Sequence, residues 1–510
     1  MTHPKPREEW ATRIGLILAM AGNAIGLGNF LRFPVQAAQN GGGAFMIPYF
    51  LSFVLLGIPL MWAEWTMGRY GGIRGHGTTP GIFDKMWGHP AAKYIGVLGV
   101  FLPLGITIYY IYIESWTLGF SFFSAIGKYI GLTTREEMGG FLKSYQGVAS
   151  GGHFDGITVA YIFFLITIVT NFAILYRGIA KGIELLAKFA MPMLFVFALI
   201  LVVRVLTLGT PDPAYPDRNV LSGLAFIWNP DFSQLSNGKI WLAAAGQIFF
   251  TLSVASGAIH TYASYLREKD DIVITGLTTA STNEFAEVIL GGSIAIPVAF
   301  AFFGFSGAID IARGGSFDLG FATMPIIFQK LPLGMIFGTL WFLLLFFAGI
   351  TSSVALTQPA IAFFQDELGW TRKQAVIVVM SIVFVCGHFV IFGLKGGFLD
   401  EMDFWVGTFG LALFALVETL IFVFLFKNSE MEKFVRTTGI RDAIQPKLLF
   451  GMQSAWNELH KGAQVNVPGI FFYILKYVTP VFLLILFLAW TIQDGLAVLT
   501  MKGVPSEDAP

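Results

Sequence analysis

The sequence predicts an all-α polytopic membrane protein with eleven transmembrane helices, two of them broken near their centres. Three observations carry that reading. Of 510 residues, 55% are hydrophobic and only 13% are charged, with a mean hydropathy of +0.69, whereas a soluble protein is about 25% charged. Eleven apolar stretches are each long enough for the ~20 residues that a helix needs to cross a bilayer core. Two of the eleven, the first and the sixth, hold glycine and small polar residues midway. Lys plus Arg and Asp plus Glu both number 32, so the basic excess that nucleic-acid binding requires is missing. The single cysteine, Cys386, excludes an intramolecular disulfide and any cysteine-based metal site.

In order, the stretches lie at 13–37, 43–70, 92–126, 157–176, 182–206, 240–265, 272–303, 333–364, 373–393, 400–426 and 470–493. They divide the chain into an N-terminal segment (1–12), a first repeat of five spans (13–206), a second of five (240–426), a long mixed-charge loop (427–467), an eleventh helix (470–493) and a tail (494–510). The long loop reads equally as an amphipathic helix on the membrane surface and as a solvated linker. Basic residues near span ends mark the cytoplasmic side. One set of alternating loops holds 19 of them and the other 9, which puts the N-terminus in the cytoplasm and the C-terminus outside. The first apolar run is too long for a cleavable signal peptide, so it is expected to stay as a span.

The first interruption reads Ala21-Gly22-Asn23-Ala24-Ile25-Gly26-Leu27-Gly28-Asn29, the second Thr251-Leu252-Ser253-Val254-Ala255-Ser256-Gly257. A helix in lipid tolerates unwinding only where the freed backbone lines a cavity, and paired interruptions at corresponding positions of two halves point to a transporter's midplane site. An unwound turn exposes carbonyls that can replace the water around a monovalent cation, and N–H groups that attract a carboxylate. Asn23, Asn29, Thr251, Ser253 and Asn283 add neutral oxygens suited to a hard cation. Close helix packing is the plainer explanation of small residues in membrane spans; two interruptions at matched places favour the binding-site reading over it. Span 8 adds Ala348-Gly349-Ile350-Thr351-Ser352-Ser353, span 3 adds Tyr109, Tyr110, Tyr112 and Glu114, and Glu64, Glu287 and Glu418 are further carboxylates inside apolar runs, where charge must be paired or hydrated.

These residues, with Trp10-Ala11-Thr12-Arg13, Asn29-Phe30-Leu31-Arg32-Phe33-Pro34, Asn40-Gly41-Gly42-Gly43-Ala44-Phe45, Glu64-Trp65, Gly68-Arg69-Tyr70, Gln247-Ile248-Phe249-Phe250-Thr251, Thr261-Tyr262-Ala263-Ser264-Tyr265 and Asp400-Glu401-Met402-Asp403-Phe404-Trp405, resemble the neurotransmitter:sodium symporter family, most closely its bacterial leucine-transporter branch. The resemblance runs to about residue 493. It implies an inverted five-plus-five repeat plus one extra helix, in a bacterial cytoplasmic membrane, and two sodium sites. The first would use the Ala24 and Thr251 carbonyls with the side chains of Asn29, Thr251 and Asn283, completed by the substrate's carboxylate. The second would use the carbonyls of Gly22, Ile25 and Ala348 with the hydroxyls of Thr351 and Ser352.

The same resemblance implies that the substrate carboxylate meets the N–H groups of Leu27 and Gly28 and the Tyr110 hydroxyl. The amine would meet the carbonyls of Ala24, Phe250 and Thr251 and the Ser253 hydroxyl. Asn23, Ile106, Tyr110, Phe250, Ser253, Ser256, Ser352 and Leu356 would surround the substrate side chain. Ser256 stands where the branch carries phenylalanine, which enlarges the pocket or makes one wall polar. A neutral, mainly hydrophobic L-amino acid, with room for an aromatic one, is therefore expected; Gly26 stands where the amine-transporting branch has an aspartate, so monoamines are disfavoured. The implied outer gate pairs Arg32 with Asp403 above Tyr110 and Phe250, and the inner gate pairs Arg7 with Asp366 near Trp10, Tyr265 and Gln358. Glu287 stands where chloride-dependent relatives are neutral, so no chloride requirement is expected, and it is expected to take up a proton on the return step. The alternative reading is a non-transporting amino-acid receptor on the same scaffold. No HExxH, Gly-x-Ser-x-Gly or P-loop pattern occurs, so no enzyme is expected.

Overall fold

The computed structural model describes residues 8–149, 152–426, 444–496 and 500, and every regular element among them is helical. The first span is two helices, α1 (Arg13–Ala24) and α2 (Leu27–Gln39), bent by 44°. Thr12 starts α1, its hydroxyl accepting the Gly15 N–H at 3.0 Å. The bend falls on Ile25 and Gly26, whose backbones are extended (ψ 95° and −165°). Four long helices follow: α3 (Gly43–Gly72), α4 (Ala91–Ala125), α5 (Thr158–Tyr176) and α6 (Ile179–Leu206).

The sixth span departs most from an uninterrupted apolar helix. It is α7 (Gly238–Thr251) and α8 (Ala258–Ala263) with six non-helical residues between them. The second half then runs through α9 (Ile272–Arg313), α10 (Gly334–Leu368), α11 (Arg372–Gly396) and α12 (Phe398–Phe424). Among the described residues nine helices are long and apolar enough to span, ten with the bent α1–α2 pair; α7 and α8 are each too short to be counted, so the expected eleven is not reached by length and composition. After α12, residues 427–443 and the tail beyond 500 lie outside the described residues. The later part of the long loop is a helix, α13 (Ile444–Leu459), and α14 (Ile470–Trp490) is the last span. Met452, Ala455 and Leu459 of α13 are buried against α12 and α3, so α13 packs on protein.

Burial separates the layers. Two thirds of the apolar windows of α3, α9 and α12 are buried but only a third of those of α5 and α14. The peripheral helices present Ile162, Ile166, Val169, Val481, Ile485 and Leu488 outward, as lipid-facing helices do. Trp65, Trp116 and Trp341 are among the largest fully buried side chains. Glycines let α3 and α8 meet backbone to backbone: a Cβ on Gly68 would collide with the His260 carbonyl and one on Gly72 with that of Ser264. That is the small-residue packing on which membrane helices rely in place of hydrophobic burial.

Candidate binding site at the paired helix breaks

The two breaks face each other. At the first, the Gly26 N–H donates to Asn29 Oδ1 at 2.8 Å and the Leu27 N–H to the Tyr110 hydroxyl at 3.3 Å. The start of α2 therefore points its positive end at a tyrosine of α4, whose hydroxyl accepts the Leu27 N–H. At the second break Ser253 and Ala255 have φ of 53° and 60°, left-handed values that cost a non-glycine residue ~1–2 kcal/mol each. Three bonds hold them there: Ser253 Oγ donates to the Asn23 carbonyl at 2.9 Å, the Ala255 N–H to Glu64 Oε1 at 2.6 Å, and Ser256 Oγ to the Ser253 carbonyl at 2.7 Å. The first bond ties one break to the other. Gly257 closes the turn at φ 72°, and any Cβ there would strike the Gly99 carbonyl of α4.

Beside the breaks, Asn29, Thr251, Asn283 and Glu287 form one buried group. Asn29 Nδ2 donates to Asn283 Oδ1 (2.8 Å) and Glu287 Oε2 (3.0 Å), and Asn283 Nδ2 to Thr251 Oγ1 (3.0 Å). The Asn283 atom facing Asn29 also lies 3.2 Å from the Ala24 and Thr251 carbonyl oxygens. A nitrogen there would satisfy both carbonyls but would stand 2.8 Å from Asn29 Nδ2, whose role as donor is fixed by its carboxylate partner and by the Gly26 N–H on its sister oxygen. We therefore assign it as oxygen. Three oxygens then converge with no hydrogen between them, an arrangement a hard cation relieves. Ligands ~2.3–2.6 Å from a calcium-sized ion stand about 3.3–3.7 Å apart around an octahedron, near the spacing seen.

A second group forms where α10 meets α1. Thr351 Oγ1 donates to the carbonyls of Phe347 (2.9 Å) and Ala348 (3.2 Å), and Ser352 Oγ to that of Gly22 (3.2 Å). A Cβ on Gly22 would lie 2.9 Å from Thr351 Cβ, so glycine sets this approach. A Cβ on Gly26 would meet Ser352 Oγ at 3.1 Å and the Tyr110 hydroxyl at 3.2 Å, which locates α2, α4 and α10 around one point. Ile106 and Leu356, each one helical turn from Tyr110 and Ser352, are buried, as is Ser256. The Asn23 amide is 1% exposed and neither of its polar atoms has a partner. Glu287 accepts from Tyr49 (3.1 Å) and Gln247 (2.8 Å) as well as Asn29, and the π-helical turn Phe285–Gly291 carries it toward them.

The outer gate differs from expectation. Arg32 and Asp403 form no ion pair. The guanidinium lies 3.8 Å over the Phe250 ring, a cation–π contact, and Asp403 accepts the Tyr109 hydroxyl at 2.6 Å. At the other end Arg7 lies outside the described residues, and Asp366 accepts the Gly77 N–H at 2.8 Å. Trp10 packs edge-on against Tyr265 and donates to the Tyr262 carbonyl at 3.1 Å, and Gln358 donates to the Tyr265 hydroxyl at 2.7 Å. Sequence reasoning missed the charged contacts here: Glu8 pairs with Arg372 and Glu9 with Arg267, both at 2.7 Å, while Glu184 accepts from the Ala11 N–H and the Thr12 hydroxyl, both at 2.7 Å. A cavity of about 340 Å3 opens beside them, lined by Trp10, Arg13, Tyr265, Arg267 and Asp271.

The chain matches the sodium:neurotransmitter symporter family over residues 7–131 and 140–459. It is 31% identical over 451 residues to an uncharacterized sodium-dependent transporter of Methanocaldococcus jannaschii, covering 88% of each chain. A sodium-dependent nutrient amino acid transporter of Drosophila erecta is 26% identical over 481 residues, covering 82% of this chain and 71% of that one. Among solved structures, MhsT in complex with L-phenylalanine superposes with a TM-score of 0.73 at 29% identity, covering 95% of this chain and all of MhsT.

Proposed function

The chain belongs to the sodium:neurotransmitter symporter family and is a secondary transporter, and from that premise we propose that it imports neutral, mainly hydrophobic L-amino acids, aromatic ones included, by sodium-coupled alternating access without chloride. The observation that carries this is the convergence of Asn283 Oδ1 with the Ala24 and Thr251 carbonyls next to the N-terminus of α2. One Na⁺ sits there with Asn29, Thr251 and Asn283. The substrate's carboxylate, held by the N–H groups of Leu27 and Gly28 and by Tyr110, supplies a further oxygen to the same ion. Ion and substrate thus raise each other's affinity through a shared ligand. A second Na⁺ takes the carbonyls of Gly22, Ile25 and Ala348 with Thr351 and Ser352, and joins α1 to α10.

The substrate's ammonium meets the carbonyls of Ala24, Phe250 and Thr251 and the Ser253 hydroxyl, which keeps a lone pair free while donating to Asn23. No acidic side chain stands at Gly26 to hold a bare amine, so the substrate brings its own carboxylate. MhsT was solved with L-phenylalanine, in keeping with an aromatic side chain among Ile106, Ser256 and Leu356. Glu287, hydrogen-bonded by three donors beside Asn29, supplies as a fixed charge what chloride would otherwise bring. Alternate opening at Arg32–Phe250 on the outer side and at Trp10–Tyr265 with Glu8–Arg372 on the cytoplasmic side completes the cycle. Proteoliposome uptake of radiolabelled amino acids tests this, with inward Na⁺ against K⁺ and with chloride replaced by gluconate. Sodium-driven accumulation of leucine or phenylalanine in gluconate is expected; accumulation unchanged in K⁺ refutes the sodium sites, and binding without accumulation refutes transport.

A further inference from the structure

Three ionisable side chains from three helices meet beside the second break, and nothing above uses them together. They are Glu64 of α3, His260 of α8 and Glu418 of α12, all 0–1% exposed. His260 Nδ1 lies 3.3 Å from Glu64 Oε2 and Nε2 lies 3.6 Å from Glu418 Oε2. One donor atom from each residue is within 4.8 Å of the others. Both ring nitrogens, Glu64 Oε2 and both Glu418 oxygens have no hydrogen-bond partner, while Glu64 Oε1 takes the Ala255 N–H at 2.6 Å. Among the described residues no Lys or Arg pairs with any of the three, and Phe83 of the neighbouring helix Thr79–Trp87 stands nearly perpendicular to the His260 ring, centroids 6.4 Å apart.

Two ionised carboxylates around a neutral imidazole would put a double negative charge in a low-dielectric interior with no Lys or Arg among the described residues to pair with it, which is strongly penalised. A neutral imidazole has one N–H and a protonated one has two; here each nitrogen faces a different carboxylate. We propose that Glu64, His260 and Glu418 form a proton-binding site that sets the affinity of the transporter for its substrate. With the proton bound, the imidazolium bridges α3 and α12 and Glu64 keeps its hold on Ala255, so the left-handed turn that carries Ser253 and Ser256 stays in place. With the proton lost, one carboxylate has no donor and α8 gives up one of its two ties.

The inference rests on the substrate-site reading above. The substrate-competent form is the protonated one, so affinity is greatest at low pH and falls as pH rises through the titration of the triad. The test is sodium-dependent binding of radiolabelled L-phenylalanine to the purified full chain between about pH 5.5 and about pH 9, for the wild type, His260→Gln and His260→Ile, with thermal melting as the check of folding. The wild-type Kd should rise at least about fivefold across that range, and the variants should bind more weakly at low pH with a flat profile. Glu418→Gln, which keeps the side chain's shape and removes one charge, should flatten the profile too and serves if both His260 variants fail to fold. A flat wild-type profile, or an unchanged rise in the folded variants, overturns the proposal. No sodium-dependent binding by folded wild type at any pH would instead remove the substrate-site reading, and this inference with it.

Discussion

Replacing Tyr110 by phenylalanine isolates one contact of the proposed site. The ring stays, so the packing of α4 against α2 and α10 is kept and only an oxygen is removed. That oxygen lies 3.3 Å from the Leu27 N–H and 3.2 Å from where a Cβ on Gly26 would stand, at the mouth of the α2 N-terminus. In the proposed site its proton is the one directed at the substrate carboxylate. A hydrogen bond to a charged group contributes about 1.5–3 kcal/mol, so Tyr110→Phe should weaken amino-acid binding roughly tenfold to a hundredfold. Binding of Na⁺ in the absence of amino acid should be nearly unaffected, because Tyr110 belongs to neither proposed ion site. Scintillation-proximity binding of L-phenylalanine at saturating Na⁺, beside a Na⁺ titration without amino acid, separates the two. A change in amino-acid Kd of less than about threefold, or an equal loss in both titrations, would refute the placement of the carboxylate.

Four further outcomes are expected. Asn283→Ala removes one of three converging oxygens and should raise the Na⁺ concentration for half-maximal uptake by about tenfold or more, with the effect reduced at high substrate because ion and substrate share a ligand. Glu287→Gln should make uptake depend on chloride, a difference that the gluconate comparison reads directly; chloride-indifferent uptake by the variant would contradict the fixed-charge role. Glu8→Gln breaks a pair whose partners are 34% and 9% exposed, worth ~0.5–1 kcal/mol after screening, and should raise labelling of a cysteine placed at Tyr265 severalfold. Outside the membrane, Glu137 accepts the N–H groups of Thr133 and Thr134, which hold its carboxyl below the ordinary range. Its contribution to the cap of helix Arg135–Tyr145 is therefore present at neutral pH and lost only as pH falls through that lowered value, when exchange protection of those two amides should drop.

Span positions were legible because lipid leaves a chain few options: long apolar runs must be helices, and the α3, α4 and α10 boundaries fall within a few residues of the stretches counted. The breaks were legible because Gly22, Gly26 and Gly257 sit where a lipid-facing helix would not put them. Their length was less so. Nothing in Thr251–Gly257 announces that Ser253 and Ala255 adopt left-handed backbone, because the bonds that enforce it come from Asn23 and Glu64, about 190 to 230 positions away in the chain. The outer gate pair failed for a similar reason. Arg32 and Asp403 carry opposite charge, but Tyr109 and Phe250 offer each a partner at shorter range. His260 passed unread as an unremarkable member of an apolar span, although any ionisable residue at that depth asks for a partner.

Arg69 gives the packing of α13 a consequence of its own. Its buried guanidinium donates to the backbone carbonyls of Asp270 (2.9 Å), Lys461 (2.6 Å) and Glu458, and the Gln464 N–H donates to Asp271 Oδ2 at 2.9 Å. The turn after α8 is thereby stapled, through the side chains of Arg69 and Asp271, to a segment nearly two hundred residues later. Any tilt of α8 during the cycle must drag the end of α13 with it or break the bonds that Arg69 and Asp271 make across the junction. A spin label or fluorophore near residue 461 would therefore act as a pointer on a dial, reporting from the solvent the position of a six-residue helix buried in the core.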